Sequence, residues 1–350
     1  MPLQPKAWLL ALCSTVLGAA CAGPPTPGSS RPPAVPDATG LRRAPVAVHP
    51  SEPLPISFCG KEYSVDATEV VCFDDEIKDL SPLTQLPLLK SVAVVAADLS
   101  PLTELQELER ISIKGESVAD LTPLQANTSL RILEAANTNV ASLKPLAALT
   151  NLERLYLGHT RVHDLSPLSG LSKLRKLDVS ATAVEDVTPL AGLTALTSLD
   201  ISDSRVRDLT PLAGLVGLEH LGVRRLQLRD LTVLEPLVNL TVLDLAGLQT
   251  ADIRPLAGLT KLHVLELSNS PVRGLAPLSG LTAITTLHVQ NTRLRSLTSL
   301  RKMATLRLVY VMDTQFSEAD VRKLERALPR LTVVQLPPKP ADTDTDPNRR

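Results

Sequence analysis

One apolar position recurs every 22 residues through most of this chain. Ile111, Leu133, Leu155, Leu177, Leu199, Leu221, Leu243, Leu265, Leu287, Val309 and Leu331 follow one another at that interval. Val70 and Val92 extend the series towards the N-terminus. The step from Val92 to Ile111 is only 19 residues, so that unit lacks three, expected near Ala97 to Leu99. A fixed period of this length is the mark of a solenoid. Each unit is one supersecondary element that cannot bury its apolar face alone, and stacking makes the core continuous. Hydrophobic residues make up 44% of the sequence but aromatics only 2%. A core of that composition reuses one aliphatic slot instead of taking its volume from large rings.

Within the unit, two local patterns alternate. Leu155-Tyr156-Leu157 has period two and predicts a short strand with both leucines inward and Tyr156 outward. Equivalent strands then pair about 4.8 Å apart. The segment D-L-x-P-L, as in Asp164 to Leu168, predicts a tight non-strand return, because proline has no backbone donor. Val233 and Ser299 replace the proline in two units.

These motifs resemble the leucine-rich-repeat family, and within it the bacterial, internalin-like kind. The resemblance spans about residues 70 to 335. It implies an α/β-type repeat solenoid: a leucine-rich-repeat horseshoe with a parallel β-sheet on the concave face and short turn or 3-10 segments on the convex face. In that family a buried Asn often stands five residues after the first strand leucine and satisfies backbone groups of the turn. Here the slot holds Thr138, Thr160, Thr182, Ser204, Ser270, Thr292 and Thr314, whose hydroxyls can do part of that work. Leu226 and Leu248 interrupt the ladder close to Arg224, Arg225 and Arg229. Either an aliphatic side chain fills the turn there, or the curvature changes locally and forms a contact site.

The ends read differently. Lys6 precedes an apolar run from Ala7 to Ala20 that closes on small residues, so 1–22 is expected to be a signal peptide. Residues 23–56 are Pro-rich and expected to form a flexible tether. Cys21 lies in L-G-A-A-C, which resembles the lipobox of bacterial lipoproteins, although Gly18 stands where that motif prefers Leu. Lipidation at Cys21 is the expectation, with ordinary signal cleavage as the alternative. Residues 57–69 are expected to cap the repeats of 70–316. Residues 317–336 are expected to close them with a helix and a strand, and 337–350 to form a disordered tail. Cys59 and Cys72 are an even pair, expected either to form a disulfide that staples the cap or to remain two buried thiols. Nothing after residue 22 approaches the run of about 20 apolar residues that spans a bilayer.

No catalytic constellation is legible. His159 and His163 are four apart but straddle a turn, where a helical metal site is not expected. Asp98, Asp120, Asp164, Asp186, Asp208, Asp230 and Asp252 recur with the unit, so turn formation is expected of them before any repeated calcium site. The expectation is a protein that is not an enzyme and has no cofactor, no metal and no catalytic residue. The formal net charge of −1 offers no strong field for nucleic acid.

Function is therefore expected on a surface. Between the two strand leucines lies an outward row: Ser112, Glu134, Tyr156, Asp178, Asp200, Gly222, Asp244, Glu266, His288 and Tyr310. Glu134, Tyr156, Asp178, Asp200, Asp244, Glu266, His288 and Tyr310 are the expected ligand-binding residues of the concave face. Carboxylates there favour a cationic or polar partner, with the aromatics as anchors. The expected function is an exported module, lipid-anchored at the cell envelope or secreted, that recognises a protein or glycan. The alternative is a structural scaffold of the envelope with no dedicated ligand site. Mass spectrometry of the mature N-terminus tests the anchor. A diacylated or triacylated Cys21 is the expected outcome, since one chain alone binds membranes weakly; an unmodified N-terminus at Cys21 or Gly23 would leave a secreted protein.

Overall fold

A computed structural model describes residues 55–335. The expected signal segment, Cys21, the C-terminal tail and nearly all of the tether lie outside the described residues. Ile56, placed by sequence at the end of the tether, is instead buried and opens the first strand.

Strands β1 (Ile56–Phe58) and β2 (Lys61–Tyr63) form an antiparallel hairpin. Its two-residue turn is Cys59-Gly60, with φ of +56° and +67°, the left-handed pair that matches hairpin twist. Ile56 and Phe58 face inward and are buried. Cys59 is bonded to Cys72, with Cα atoms 6.3 Å apart. Cys72 is buried on the first strand of the large sheet, so the bond fixes the hairpin against the open end of the solenoid.

That sheet has thirteen parallel strands in sequence order. It begins with β3 (Glu69–Ile77), β4 (Ser91–Ala96) and β5 (Arg110–Lys114). Short strands follow: β6 (Ile132–Glu134), β7 (Arg154–Tyr156), β8 (Lys176–Asp178), β9 (Ser198–Asp200) and β10 (His220–Gly222). The series closes with β11 (Val242–Asp244), β12 (Val264–Glu266), β13 (Thr286–His288), β14 (Leu308–Tyr310) and β15 (Thr332–Val334). Equivalent slots pair throughout, as Leu155 with Leu177 and Leu177 with Leu199. In one unit Leu155, Leu157, Leu165, Leu168, Leu171 and Leu174 are each at most 1% exposed. Burying each contributes about 1.5–3 kcal/mol, and only neighbouring units supply the cover.

Each return is a short 3-10 turn such as Ser166–Leu168, with proline in its first positions except at Thr232–Leu234 and Thr298–Lys302. The recurrent aspartates are turn formers. Asp120, Asp164, Asp186, Asp208, Asp230 and Asp252 each accept the backbone N–H two residues on, at 2.7–3.0 Å. The short unit differs in a definite place. Strand β4 runs on to buried Ala96, so the missing residues come from the turn between Val94 and Asp98, just before the position expected from sequence.

A hydroxyl ladder closes the turn after β6, β7, β8, β12, β13 and β14; Ser204, expected in it, instead accepts the N–H of Val206 at 3.5 Å. Thr138, Thr160, Thr182 and Thr292 donate to the carbonyls of Ala135, Leu157, Val179 and Val289 at 2.6–2.7 Å. At Leu226 and Leu248 the backbone N–H donates to the matching carbonyls of Val223 and Leu245 instead, at 3.4 and 3.1 Å. Both leucines are buried and the register of β9 to β12 is unbroken. The aliphatic side chain fills the turn, and the ladder continues through it.

One slot carries a backbone requirement that hydropathy does not show. Asn137, His159, Ala181, Asp203, Arg225, Asn269, Asn291 and Asp313 all have φ between +48° and +60°. Asn, Asp and Gly tolerate this region and a Cβ-bearing residue such as alanine does so at a cost of about 1–2 kcal/mol.

The C-terminal end is covered by α1 (Glu318–Ala327). Its cap Ser317 accepts the N–H of Asp320 at 3.2 Å, and Val321, Leu324 and Leu328 are buried against the last units. Ala181 offers a direct test of the left-handed slot. Ala181→Gly is expected to raise stability by about 0.5 kcal/mol, the relief of strain less the extra entropy of the unfolded chain. Ala181→Val is expected to lower it by about 1 kcal/mol or more. Urea midpoints at unchanged slope measure both.

Candidate binding face

Because every strand pairs in register, the outward row becomes a column running across the sheet. Ser112 sits opposite Glu134, Glu134 opposite Tyr156, Tyr156 opposite Asp178, and Asp178 opposite Asp200. Gly222 separates Asp200 from Asp244. Asp244 then faces Glu266, Glu266 faces His288, and His288 faces Tyr310. All eight residues expected on the ligand-binding face thus lie on one continuous strip.

They are not equivalent. Ser112 is buried and offers little surface. Glu134 is neutralised by Arg110, with Nη2 to Oε1 at 2.8 Å. The acidic residues beyond it have a second role that sequence reasoning missed. Asp178, Asp200 and Asp244 each use Oδ1 to accept a backbone N–H two residues on, from Ser180, Ser202 and Ala246, each at 2.9 Å. Glu266 does the same for Ser268 at 2.8 Å. One oxygen of each carboxylate therefore shapes the exit of its strand. The spacing of acid and N–H, two residues apart at a strand end, is the signal that could have revealed it.

The centre of the strip is electrostatically unfavourable. Burial, and then repulsion from Asp178, push Asp200 up to about 6; its bonds to Ser202 offset part of this. Burial raises Asp244 to about 6 as well, opposed by the N–H of Ala246 and aggravated by Glu266. Burial also raises Glu266. Arg224 acts on both Asp200 and Asp244 but is itself bound to Asp203 at 2.8 Å. Gly222 is the gap that makes the pair of aspartates possible. A Cβ there would lie 2.5 Å from Asp200 Oδ1, a separation that real side chains do not adopt, so only glycine lets that carboxylate lie across the neighbouring strand.

Towards the C-terminal end the strip becomes aromatic. His288 stacks on Tyr310, centroids 4.3 Å apart and planes 9° from parallel. Its Nδ1 lies 3.2 Å from Glu266 Oε2. Burial lowers His288 to about 4, so near neutral pH the imidazole is uncharged and the contact is a hydrogen bond. Towards the N-terminal end the face is apolar. Val71 and Phe73 are 40% and 39% exposed, and Lys114 Nζ lies 3.9 Å above the Phe73 ring. Sequence reasoning began the row at Ser112 and stopped short of this end; carrying the 22-residue step back through Val92 to Val70 would have reached it. Among the described residues, no group of three His, Cys, Asp or Glu is placed to hold a metal ion, and no helix is long and apolar enough to cross a membrane.

Comparison with known proteins places this architecture. A family model described as Leucine Rich repeats (2 copies) matches residues 128–170 and 150–192. The chain is similar in structure to an internalin (inlF) from Listeria monocytogenes, with TM-score 0.65, 21% identity, and 80% of this chain and 91% of that one covered. It is also similar to an internalin C2 from the same organism, with TM-score 0.51, 31% identity, and 54% and 83% covered. A plant peptide hormone receptor, RGFR1 in complex with RGF2, aligns with TM-score 0.56 and 17% identity over 68% of this chain and 42% of that one. No curated protein matches the chain.

The raised carboxylates have a thermodynamic signature. A carboxyl whose folded pKa lies near 6, against an unfolded value of about 3.9, contributes stability that is fully present below about pH 4. That contribution is lost as pH rises through about 6, because the folded state holds the proton more tightly than the unfolded one. Asp200→Asn keeps the acceptor for the Ser202 N–H and removes the charge. It is expected to flatten stability between pH 4 and pH 7 and to raise it at pH 7 by on the order of 2 kcal/mol. Urea unfolding at pH 4.5 and pH 7.5 measures the difference; a variant less stable than the parent at pH 7.5 would show that the charge is neutralised in the fold.

Proposed function

We propose that this leucine-rich-repeat protein of internalin-like build is a recognition module that binds a cationic segment of a protein partner along its concave face. The observation that carries the reading is the pair Asp200 and Asp244 on either side of Gly222. Two carboxylates are held part-buried, both with raised proton affinity, in a fold that compensates their charge only in part. Stability surrendered at a solvent-facing strip is the usual trade where a surface is kept for a ligand. A lysine or arginine laid across Gly222 would neutralise both.

Several features support a protein partner. The strip is rigid, since every strand is locked by its neighbours, and this limits the ordering cost of binding. It grades from apolar Val71 and Phe73 through the carboxylates to the stacked His288 and Tyr310, so it can read several side chains in sequence. The plant receptor of the same fold holds a peptide hormone. A glycan partner, with Tyr156 and Tyr310 as stacking platforms, is the second form of this reading. Export, with Cys21 as the lipidated anchor at the cell envelope, completes the proposal; it rests on the N-terminal sequence alone.

The test begins with a pull-down from envelope extract using the whole mature chain, followed by affinity measurement on the purified partner. The triple variant Asp178→Asn, Asp200→Asn and Asp244→Asn keeps the strand-exit hydrogen bonds and is expected to lose about tenfold or more in affinity. Binding by the parent is expected to weaken with salt, since screening acts over about 8 Å at physiological ionic strength. It is also expected to weaken as pH falls below 6 and the carboxylates take up protons. Unchanged affinity in the triple variant would move the site off this face and favour the envelope scaffold.

A further inference from the structure

A second chemically distinct column runs along one flank of the solenoid, just after the turn that follows each strand. Here the slots six and eight residues after the first strand leucine point outward, on either side of an inward aliphatic residue at slot seven. Val162, Val184, Val206, Leu228, Val272 and Leu294 fill the inward place and are buried. The segment stacks in register over two stretches, from Asn139 to Arg205 and again at Arg293, with no such bond from Gln227, Gln249 or Pro271 between them. The N–H groups of Arg161, Ala183, Arg205 and Arg293 donate to the carbonyls of Val140, Val162, Val184 and Val272 in the preceding unit, at 2.9–3.0 Å. Outward residues of units joined in this way are therefore held at close to the strand spacing of about 4.8 Å.

Arginine is the commonest residue in the outward places of this ladder, at Arg161, Arg205, Arg207, Arg229, Arg273, Arg293 and Arg295, all exposed, with Gln249 and Ala251 separating Arg229 from Arg273. Arg205 has one partner, Glu185, at 3.5 Å between two highly exposed side chains, a pair that contributes little. The other six form no ion pair among the described residues. The charges that face them are the turn aspartates one slot on, Asp208 beside Arg207 and Asp230 beside Arg229, whose carboxylates are engaged with the N–H groups of Thr210 and Thr232. In the last two units that acid is absent. Gly274 follows Arg273 and Ser296 follows Arg295, so the positive charge there is uncompensated. Arg205, Arg207 and Arg225 also line an open groove of about 450 Å³, together with Glu185 and Asp208.

We propose that this arginine ridge is a docking surface for a linear acidic polysaccharide, separate from the concave face. Guanidinium groups pair in a planar, bidentate manner with carboxylate and sulfate, and two groups of them on one flank, Arg205, Arg207 and Arg229 and then Arg273, Arg293 and Arg295, match successive charges of an extended polyanion. No aromatic side chain is interleaved with the arginines, which disfavours single-stranded nucleic acid, where stacking carries much of the affinity. The exposed valines Val216 and Val238 occupy a different part of the repeat, each five residues ahead of its strand leucine, so the ridge has no apolar companion of the kind that inserts into a lipid surface.

The experiment uses the full mature chain and heparin, a linear sulfated uronate polymer, with uncharged dextran as control and phosphatidylglycerol vesicles as the competing surface. The expected result is saturable binding to heparin at about 0.1 M salt, none to dextran, and a steep loss with added salt from counterion release. The variant Arg273→Gln, Arg293→Gln and Arg295→Gln is expected to lose at least tenfold in affinity, with a salt slope shallower by about one per arginine engaged. Replacing the same three by lysine is expected to keep most of the salt slope, and the concave variant D178N/D200N/D244N is expected to bind heparin like the parent. Four outcomes would overturn the proposal: no heparin binding by the parent, unchanged binding in the glutamine variant, loss of binding in the concave variant, or binding to vesicles without binding to heparin. Circular dichroism shows whether each variant is folded, and the lysine variant separates loss of charge from any disturbance of the flank.

Discussion

The constraint on which everything else rests is that no single unit of this chain can cover its own leucines. Leu155 or Leu177 is removed from water only when the units before and after lie directly against it. Two hydrogen-bonded ladders enforce that contact. One is the parallel sheet from β3 to β15; the other is the flank segment in which Arg205 pairs through its backbone with Val184. The sheet places each strand slot above the same slot of its neighbour throughout, and the flank bonds reinforce this from Asn139 to Arg205 and at Arg293. The surface then becomes a set of parallel columns, and each column inherits the chemistry of whichever residue type occupies it.

Four such columns divide the work. The hydroxyls of Thr138, Thr160 and Thr182 close the turn after the strand. The aspartates at the return hold the first N–H of each 3-10 turn. The arginine column and the concave strip remain largely for solvent or a partner. Stacking amplifies electrostatics as well as packing, because a residue tolerable once becomes a like-charged neighbour of itself about 4.8 Å away. On the concave side Asp178 and Asp200 meet in this manner, and the fold relieves the strain only in part, through hydrogen bonds from Ser180 and Ser202 and the gap at Gly222.

The ends of the solenoid depend on different means. At the N-terminal end a hairpin and a disulfide cover the first strand, the cross-link between Cys59 and Cys72 restricting the unfolded chain as well as fixing the cap. At the C-terminal end α1 covers the last units with Val321 and Leu324. Strands β3 to β5 are longer than their successors, and Val71 and Phe73 are exposed on the first of them. The turn after β4 is missing: without those three residues the strand continues to Ala96 before the chain returns.

Much of this was legible because a repeat states the same instruction many times. The 22-residue period, the inward leucines, the proline returns, the turn role of the aspartates and the membership of the concave row all follow from sequence, since local pattern and stacking agree at those positions. Other features depend on which atoms meet after stacking. The left-handed slot at Asn137, Ala181 and Arg225 is hidden because its occupants share no hydropathy, only a backbone angle. The raised proton affinity of Asp200 and Asp244 needs their burial and the spacing of adjacent strands. The uncompensated arginines need the flank to be in register, so that Arg273 and Arg295 become neighbours although 22 residues apart in the chain. Sequence alone thus determined the unit, its inward face and the residues assigned to each column, because these depend on periodicity. Only the tertiary structure decided which charges are neutralised, which are strained and which are left for a partner, because electrostatic energy is set by distance and burial across units.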